Sequence, residues 1–246
     1  MDPAPIQLGG WAVVADNWWV FVQGLYVTVL LTVGSLLLGF LAGFPAGATE
    51  VYGEGPLASV VRGGGVLLRG TPIVVLIVLF FFGVPWPEVG SLAFGGWGVV
   101  EGFTVNGQAL LAATAALGLR SAAYQSQVFR GAIQSIDEGQ LEAARSTGLS
   151  KVEAVRHVVF PQALRRSIPG FQNEFTIVLK DTSIAIAIGL GELLYQGQQL
   201  FLRRDVDAVF EVIVAISAIY FVLTFATNRT LDHIEERYAV PTGEST

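Results

Sequence analysis

Five stretches of this 246-residue chain are apolar for long enough to cross about 30 Å of hydrocarbon as helices. They run roughly over 20–48, 66–83, 109–129, 171–190 and 208–227. Lipid offers the backbone no hydrogen bonds, so such segments must pair their own N–H and C=O groups, which a helix does. Composition points the same way. Apolar residues make up 52% and charged residues 14%, against about 25% charged in an average soluble domain. Mean hydropathy is +0.59. The chain is therefore expected to be an all-α, polytopic membrane protein with about five transmembrane helices, forming one domain over 1–246. The fourth stretch is the least clean, because it contains Asn173, Glu174, Lys180 and Asp181.

Lys and Arg are retained on the cytoplasmic side of a membrane, which makes the fourteen basic residues a measure of orientation. With the N-terminus outside and the C-terminus inside, ten of them fall in the inner segments, six of these in the 130–170 loop. Only Arg203 and Arg204 fall outside, while Arg120 and Lys180 lie within spans. No basic residue precedes Arg62, so the first apolar stretch reads as a permanent span rather than a signal peptide. Trp18, Trp19 and Trp86 flank spans, where indole rings favour the headgroup level. The Gly-rich segment 89–105 is expected to be an outer interfacial loop or short helix. Small residues at Ser35, Gly39, Gly43 and Gly47 give the first span a face that a neighbouring helix can approach closely. The competing reading is that glycine is simply common in membrane helices.

Chemistry of the enzymatic kind has little to work with. There is no cysteine, which excludes disulfides and thiolate metal sites, and the two histidines are His157 and His233. No metal site, no catalytic residue and no nucleic-acid partner are expected. The sequence has no G-x-x-x-x-G-K-[ST] phosphate loop.

The 130–170 loop is the most informative segment. Ser135 and Glu138 have the spacing of a capping box, and a helix through Leu141, Ala143 and Ala144 should stop at Gly148. Ser150 and Glu153 repeat the capping pattern, and a second helix runs on until Pro161 perturbs it. The product is an elbow with Ala143 and Ala144 on an exposed small face. Spacing alone leaves two readings open: an element that inserts into a partner's groove, or an amphipathic connector on the bilayer.

The run "GQLEAARSTGLSKVEAVRHVVFPQALRRSIPG" resembles the EAA motif of ATP-binding-cassette (ABC) importer permeases. The matching positions are Glu142, Ala143, Ala144, Gly148 and Pro161, with Phe160 where the family usually has Leu. The flanking blocks "LLRGTPIVVLIVLFFFGVP", "AAYQSQVFRGAIQSI" and "NEFTIVLKDTSIA" resemble the polar amino-acid branch, and the likeness covers about 24–200. Gln127 departs from the Glu common in that branch. The resemblance implies a type I ABC importer permease fold. It also implies two permease subunits, identical or different, and a cytoplasmic ATPase dimer that docks the elbows and carries the ATP and Mg. An extracytoplasmic solute-binding protein would deliver the cargo, and this chain itself would carry no cofactor.

A charged group inside a membrane costs several kcal/mol and is usually paired or functional. Asn173 and Lys180 are seven apart, as are Glu174 and Asp181, so each pair shares nearly one helix face. Either this stripe lines an aqueous path or its charges hold the bundle together. The resemblance favours the path, with Lys180 suited to a carboxylate and Asp181 to an amine. Thr182 and Ser183 add hydroxyls, and Gln127, Arg69 and Thr71 complete the candidates. Against the importer stand an ion-coupled secondary transporter or channel subunit and a membrane scaffold. Neither of these needs the elbow.

Overall fold

The structure is a computed structural model and describes residues 9–94, 102–203 and 206–238. It is helical apart from one small hairpin. Helix α1 (Gly10–Asp16) leads into α2 (Trp18–Tyr52), followed by α3 (Pro56–Gly70) and α4 (Ile73–Gly83). After strands β1 (Ser91–Phe94) and β2 (Phe103–Asn106) comes α5 (Gly107–Gln134). Two short helices follow, α6 (Glu138–Ser146) and α7 (Lys151–Ala154). A π-helical turn over Val155–Val159 then joins α7 to α8 (Phe160–Asp181), which runs on as a 3-10 helix over Thr182–Ile188. Helices α9 (Leu193–Phe201) and α10 (Val209–Tyr238) end the described chain.

Helix α2 and the Val209–His233 part of α10 are each long and apolar enough to cross a membrane, with mean hydropathies of 2.2 and 2.3 over an 18-residue stretch of each. At 1.5 Å per residue, α5 and α8 extend roughly 42 and 33 Å, but both carry polar side chains. The expected span over 66–83 is not one straight helix. It breaks at Thr71–Pro72, where α3 and α4 form a pair bent by 110°. Thr71 has extended backbone, φ −93° and ψ 130°, the conformation that a following proline imposes through its Cδ.

The hairpin corrects the reading of 89–105 as an interfacial loop or short helix, while residues 95–101 lie outside the described ones. Ser91 pairs with Asn106 and Phe94 with Phe103 in an antiparallel register. The Phe94 and Phe103 rings lie 5.8 Å apart, and both meet Tyr26 of α2, at 5.3 and 6.3 Å. These tertiary ring contacts, invisible in the local pattern, select the strands.

Two compact units emerge. Among the described residues, the first contains those up to Ser35 and those within Pro72–Leu117 and Val178–Ala226; the second contains Leu36–Thr71, Gly118–Ile177 and those from Thr227. In the first, Val13, Phe21, Leu193, Leu200, Val212 and Ile216 form a buried cluster. Gly24 lets the backbone of Leu193 come so close that a Cβ would lie 2.6 Å from its Cα. In the second, Phe129 lies edge-on to Phe40, Phe44 and Phe171 at centroid distances of 5.7, 4.8 and 4.9 Å. Gly39, Gly43 and Gly47 face α5 there: a Cβ on Gly43 would sit 2.8 Å from the Ala122 carbonyl, and one on Gly47 2.7 Å from that of Ser126. The small face of α2 is thus a packing surface within this chain.

Candidate functional site

The elbow is built as two capped helices, with two differences from expectation. Its first cap is Asp137 rather than Ser135: the Asp137 carboxylate accepts the Gly139 N–H at 2.7 Å, while the Ser135 hydroxyl donates to the Ala132 carbonyl. Both residues suit an N-cap, but Ser135 directly follows the last residue of α5, where its hydroxyl finds a nearer acceptor. Gly148 turns the chain with φ +95°, a left-handed backbone that costs an L side chain about 1–2 kcal/mol. Ser150 and Glu153 then form a complete capping box. The Glu153 carboxylate accepts from both the Ser150 N–H and its hydroxyl, which holds its pKa below the ordinary glutamate value.

Pro161 does not end the second helix. It cannot donate a hydrogen bond to the preceding turn, and the π turn before it shifts the ladder so that Phe160 N–H reaches the Val155 carbonyl. The elbow and α8 are therefore one continuous helical run. One brace ties α6 to it, Gln162 Nε2 donating to Gln140 Oε1 at 2.6 Å, and a second ties the turn before α6, Arg166 donating to the Ser135 hydroxyl at 2.9 Å and to its carbonyl.

Glu142 and Ala143 are exposed, but Ala144 is not. At 8% exposure it faces inward, one turn from Leu141, which packs on Ile133, Ile136 and Val159. The exposed small face expected at Ala143 and Ala144 is thus Ala143 alone. Hollows of about 650 and 560 Å³ flank α6, with Glu142 and Arg145 lining both. His157 stands on the elbow's surface, bonded through Nδ1 to the Glu153 carbonyl at 2.9 Å.

Gln127 belongs to a node that sequence reading missed. Its amide donates to both oxygens of Glu50, at 3.1 and 2.9 Å. Ser126 donates to the same carboxylate at 3.3 Å, and Arg130 pairs with it at 3.5 Å. The Glu50 side chain is 1% exposed, so this acid near the end of an apolar helix is held by three donors from α5. An acidic residue in the last turns of an apolar stretch was the available signal.

The other candidates are placed as follows. Arg69 donates to the Ala123 carbonyl at 2.6 Å, and the Thr71 hydroxyl donates to the Leu67 carbonyl. On α8, Asn173 and Lys180 are exposed, Asp181 is half-buried and Glu174 is buried. The Thr182 and Ser183 hydroxyls donate to the carbonyls of Leu179 and Lys180. Thr176 instead reaches Asn228 of α10 at 2.7 Å. Arg120 lies over the Tyr124 ring, 5.1 Å from its centroid, a stabilising cation–π contact. Glu192 is fully buried and caps α9, accepting the Leu194 and Tyr195 N–H groups at 2.8 Å and the Tyr220 hydroxyl at 3.2 Å. Among the described residues no group of three or more His, Cys, Asp or Glu could hold a metal ion.

A family model described as binding-protein-dependent transport system inner membrane component matches residues 35–240. The glutamine transport system permease protein GlnP of Escherichia coli (strain K12) is 33% identical over 216 residues, covering 88% of this chain and 90% of that protein. The octopine transport system permease protein OccQ of Rhizobium radiobacter is 31% identical, with 90% and 92% covered. Among solved structures, an amino acid ABC transporter with histidines superposes with a TM-score of 0.74 at 29% identity, covering 94% of this chain and all of that one. The MetNI methionine ABC transporter shares the fold, with a TM-score of 0.72 at 21% identity and 92% and 99% coverage.

Proposed function

The chain belongs to the binding-protein-dependent transport system inner membrane components, and we propose that as a permease subunit of an ABC importer it conducts an amino acid or similar small polar solute. The observation that carries this reading is the elbow. Two capped helices turn at a left-handed glycine, are braced to each other, and continue without a break into α8. A push on the elbow is thereby transmitted along a rigid helix. A secondary carrier or scaffold has no use for such a lever.

In this reading the N-terminus is outside, the C-terminus is cytoplasmic, and the elbow meets one subunit of an ATPase dimer that binds ATP and Mg. Glu142, Ala143 and Gly148 offer the contact. Ala144 supports it from beneath, and Pro161 sets the π turn. A second permease subunit completes the path, and an extracytoplasmic binding protein supplies the solute. On α8, Lys180 suits a solute carboxylate and Asp181 a solute amine, with Asn173 and Glu174 further along the helix. Thr182 and Ser183 shape the end of that helix through their own-backbone bonds. Gln127, Arg69 and Thr71 hold the helices that flank the path.

Reconstitution in proteoliposomes with the ATPase and binding protein tests the proposal. Solute-stimulated ATP hydrolysis coupled to uptake is expected, whereas gradient-driven uptake without an ATPase would favour the secondary transporter. Asp181→Ala should leave assembly intact and slow uptake roughly tenfold to a hundredfold, the worth of a lost charge-assisted hydrogen bond. Normal uptake by this variant removes Asp181 from the path.

A further inference from the structure

An open groove of about 470 Å³ runs beside the end of α2, lined by none of the residues proposed for coupling or for the solute path. Its floor is the edge-to-face pair Phe44–Phe160, with centroids 4.6 Å apart. Ala48 and Val155 form its walls, and Val152 stands 76% exposed at its edge. The rim carries two cations. Lys151 lies over the Tyr52 ring at 5.6 Å, and Arg156 is exposed beside it. Among the described residues no carboxylate lines this groove. Glu153, the nearest in sequence, is held in its capping box by Ser150.

The groove follows a helix apolar enough to cross a membrane. The expected first span ends near residue 48, so Phe44 and Ala48 lie in its last turns and Tyr52 one turn beyond. The groove therefore straddles the edge of the hydrocarbon, with its apolar end toward the acyl chains. Its cationic end lies where tyrosine and long basic side chains meet headgroups. A soluble partner would find the floor submerged, and a neutral lipid would leave both cations without a counter-charge. We propose that this groove binds an anionic phospholipid, with one acyl chain against Phe44 and Phe160 and the phosphate between Lys151 and Arg156. Basic pockets beside membrane helices hold anionic headgroups by this combination of charge and burial.

Native mass spectrometry of the full-length chain, purified with equal amounts of dioleoyl phosphatidylglycerol and dioleoyl phosphatidylcholine, tests the proposal. Phosphatidylglycerol should be retained preferentially. That preference should fall roughly thirtyfold in Lys151→Gln/Arg156→Gln, which removes both basic residues from the headgroup level. Ala48→Trp, which fills the groove and keeps both cations, should lose it too, whereas Lys151→Arg and the remote pair Arg62→Ala/Arg229→Ala should keep it. Equal retention of the two lipids overturns the proposal, as does a preference that survives both groove variants. Displacement by inorganic phosphate alone would mean a free-anion site. Loss of ATPase co-purification with lipid preference unchanged would mean a protein contact. Either result overturns it as well.

Discussion

Glu50 and Gln127 form the contact on which the residue scale turns. The Gln127 amide donates to both oxygens of a carboxylate that is almost wholly buried. Replacing it by the glutamate common in the polar amino-acid branch would set two carboxylates against each other and remove the donors. Gln127→Glu should therefore destabilise the chain by about 1–3 kcal/mol, read as a lower unfolding temperature in detergent. Glu50→Gln in the same background should restore most of the loss, since the amide and the carboxylate have then merely changed places. Glu153 supports a pH prediction. Its pKa is depressed in the folded chain by the Ser150 bonds, so its stabilisation is full above the unfolded glutamate value. It is lost as pH falls through the depressed value. The stability difference between wild type and Glu153→Gln should be constant near neutral pH and close only in that acid range. The Ser150–Glu153 box was legible in the sequence because its partners are three residues apart. Glu50 was not, because it lies 77 residues from Gln127 and only the packing of α2 on α5 joins them.

At the scale of the element, the glycines separate into two kinds that look alike in sequence. Gly43 of α2 faces the Ala122 carbonyl so closely that Gly43→Ala forces the helices apart, costing about 1–3 kcal/mol. Gly63, in the interior of α3, faces open space, with nothing within 4 Å of where a Cβ would lie. Gly63→Ala should be neutral or stabilise by up to about 1 kcal/mol through helix propensity alone. Thermal unfolding of both variants in detergent checks the contrast. Helix existence was legible from apolar runs and caps, but several boundaries were not. The 66–83 stretch broke at Thr71–Pro72, and the expected stop at Pro161 became a π turn within a longer helix. In both places a proline removes a donor. Whether the chain bends or shifts register is then decided by the neighbours it packs on.

For the whole molecule the testable quantity is orientation. The chain has no cysteine, so a single introduced thiol reports without background. Ser146→Cys on the elbow should react with a membrane-impermeant maleimide only after the membrane is opened. Glu88→Cys, between α4 and the hairpin, should react in intact spheroplasts. The reverse pattern would overturn the orientation read from the basic residues. It would also place the elbow on the side without ATP, which makes this the sharpest check on the lever.

Lipid compatibility, the number of apolar stretches and the two-helix elbow follow from the sequence by itself. Each depends on local composition or on partners within a turn of one another, and burial in lipid leaves the backbone few alternatives to a helix. The tertiary structure alone decided which polar groups meet. It paired Glu50 with Gln127 and Arg130, turned Ala144 inward, folded 91–106 into a hairpin against Tyr26, and brought Lys151 over Tyr52 beside an apolar groove. These contacts join residues far apart in the chain, and their energies appear only when helices pack.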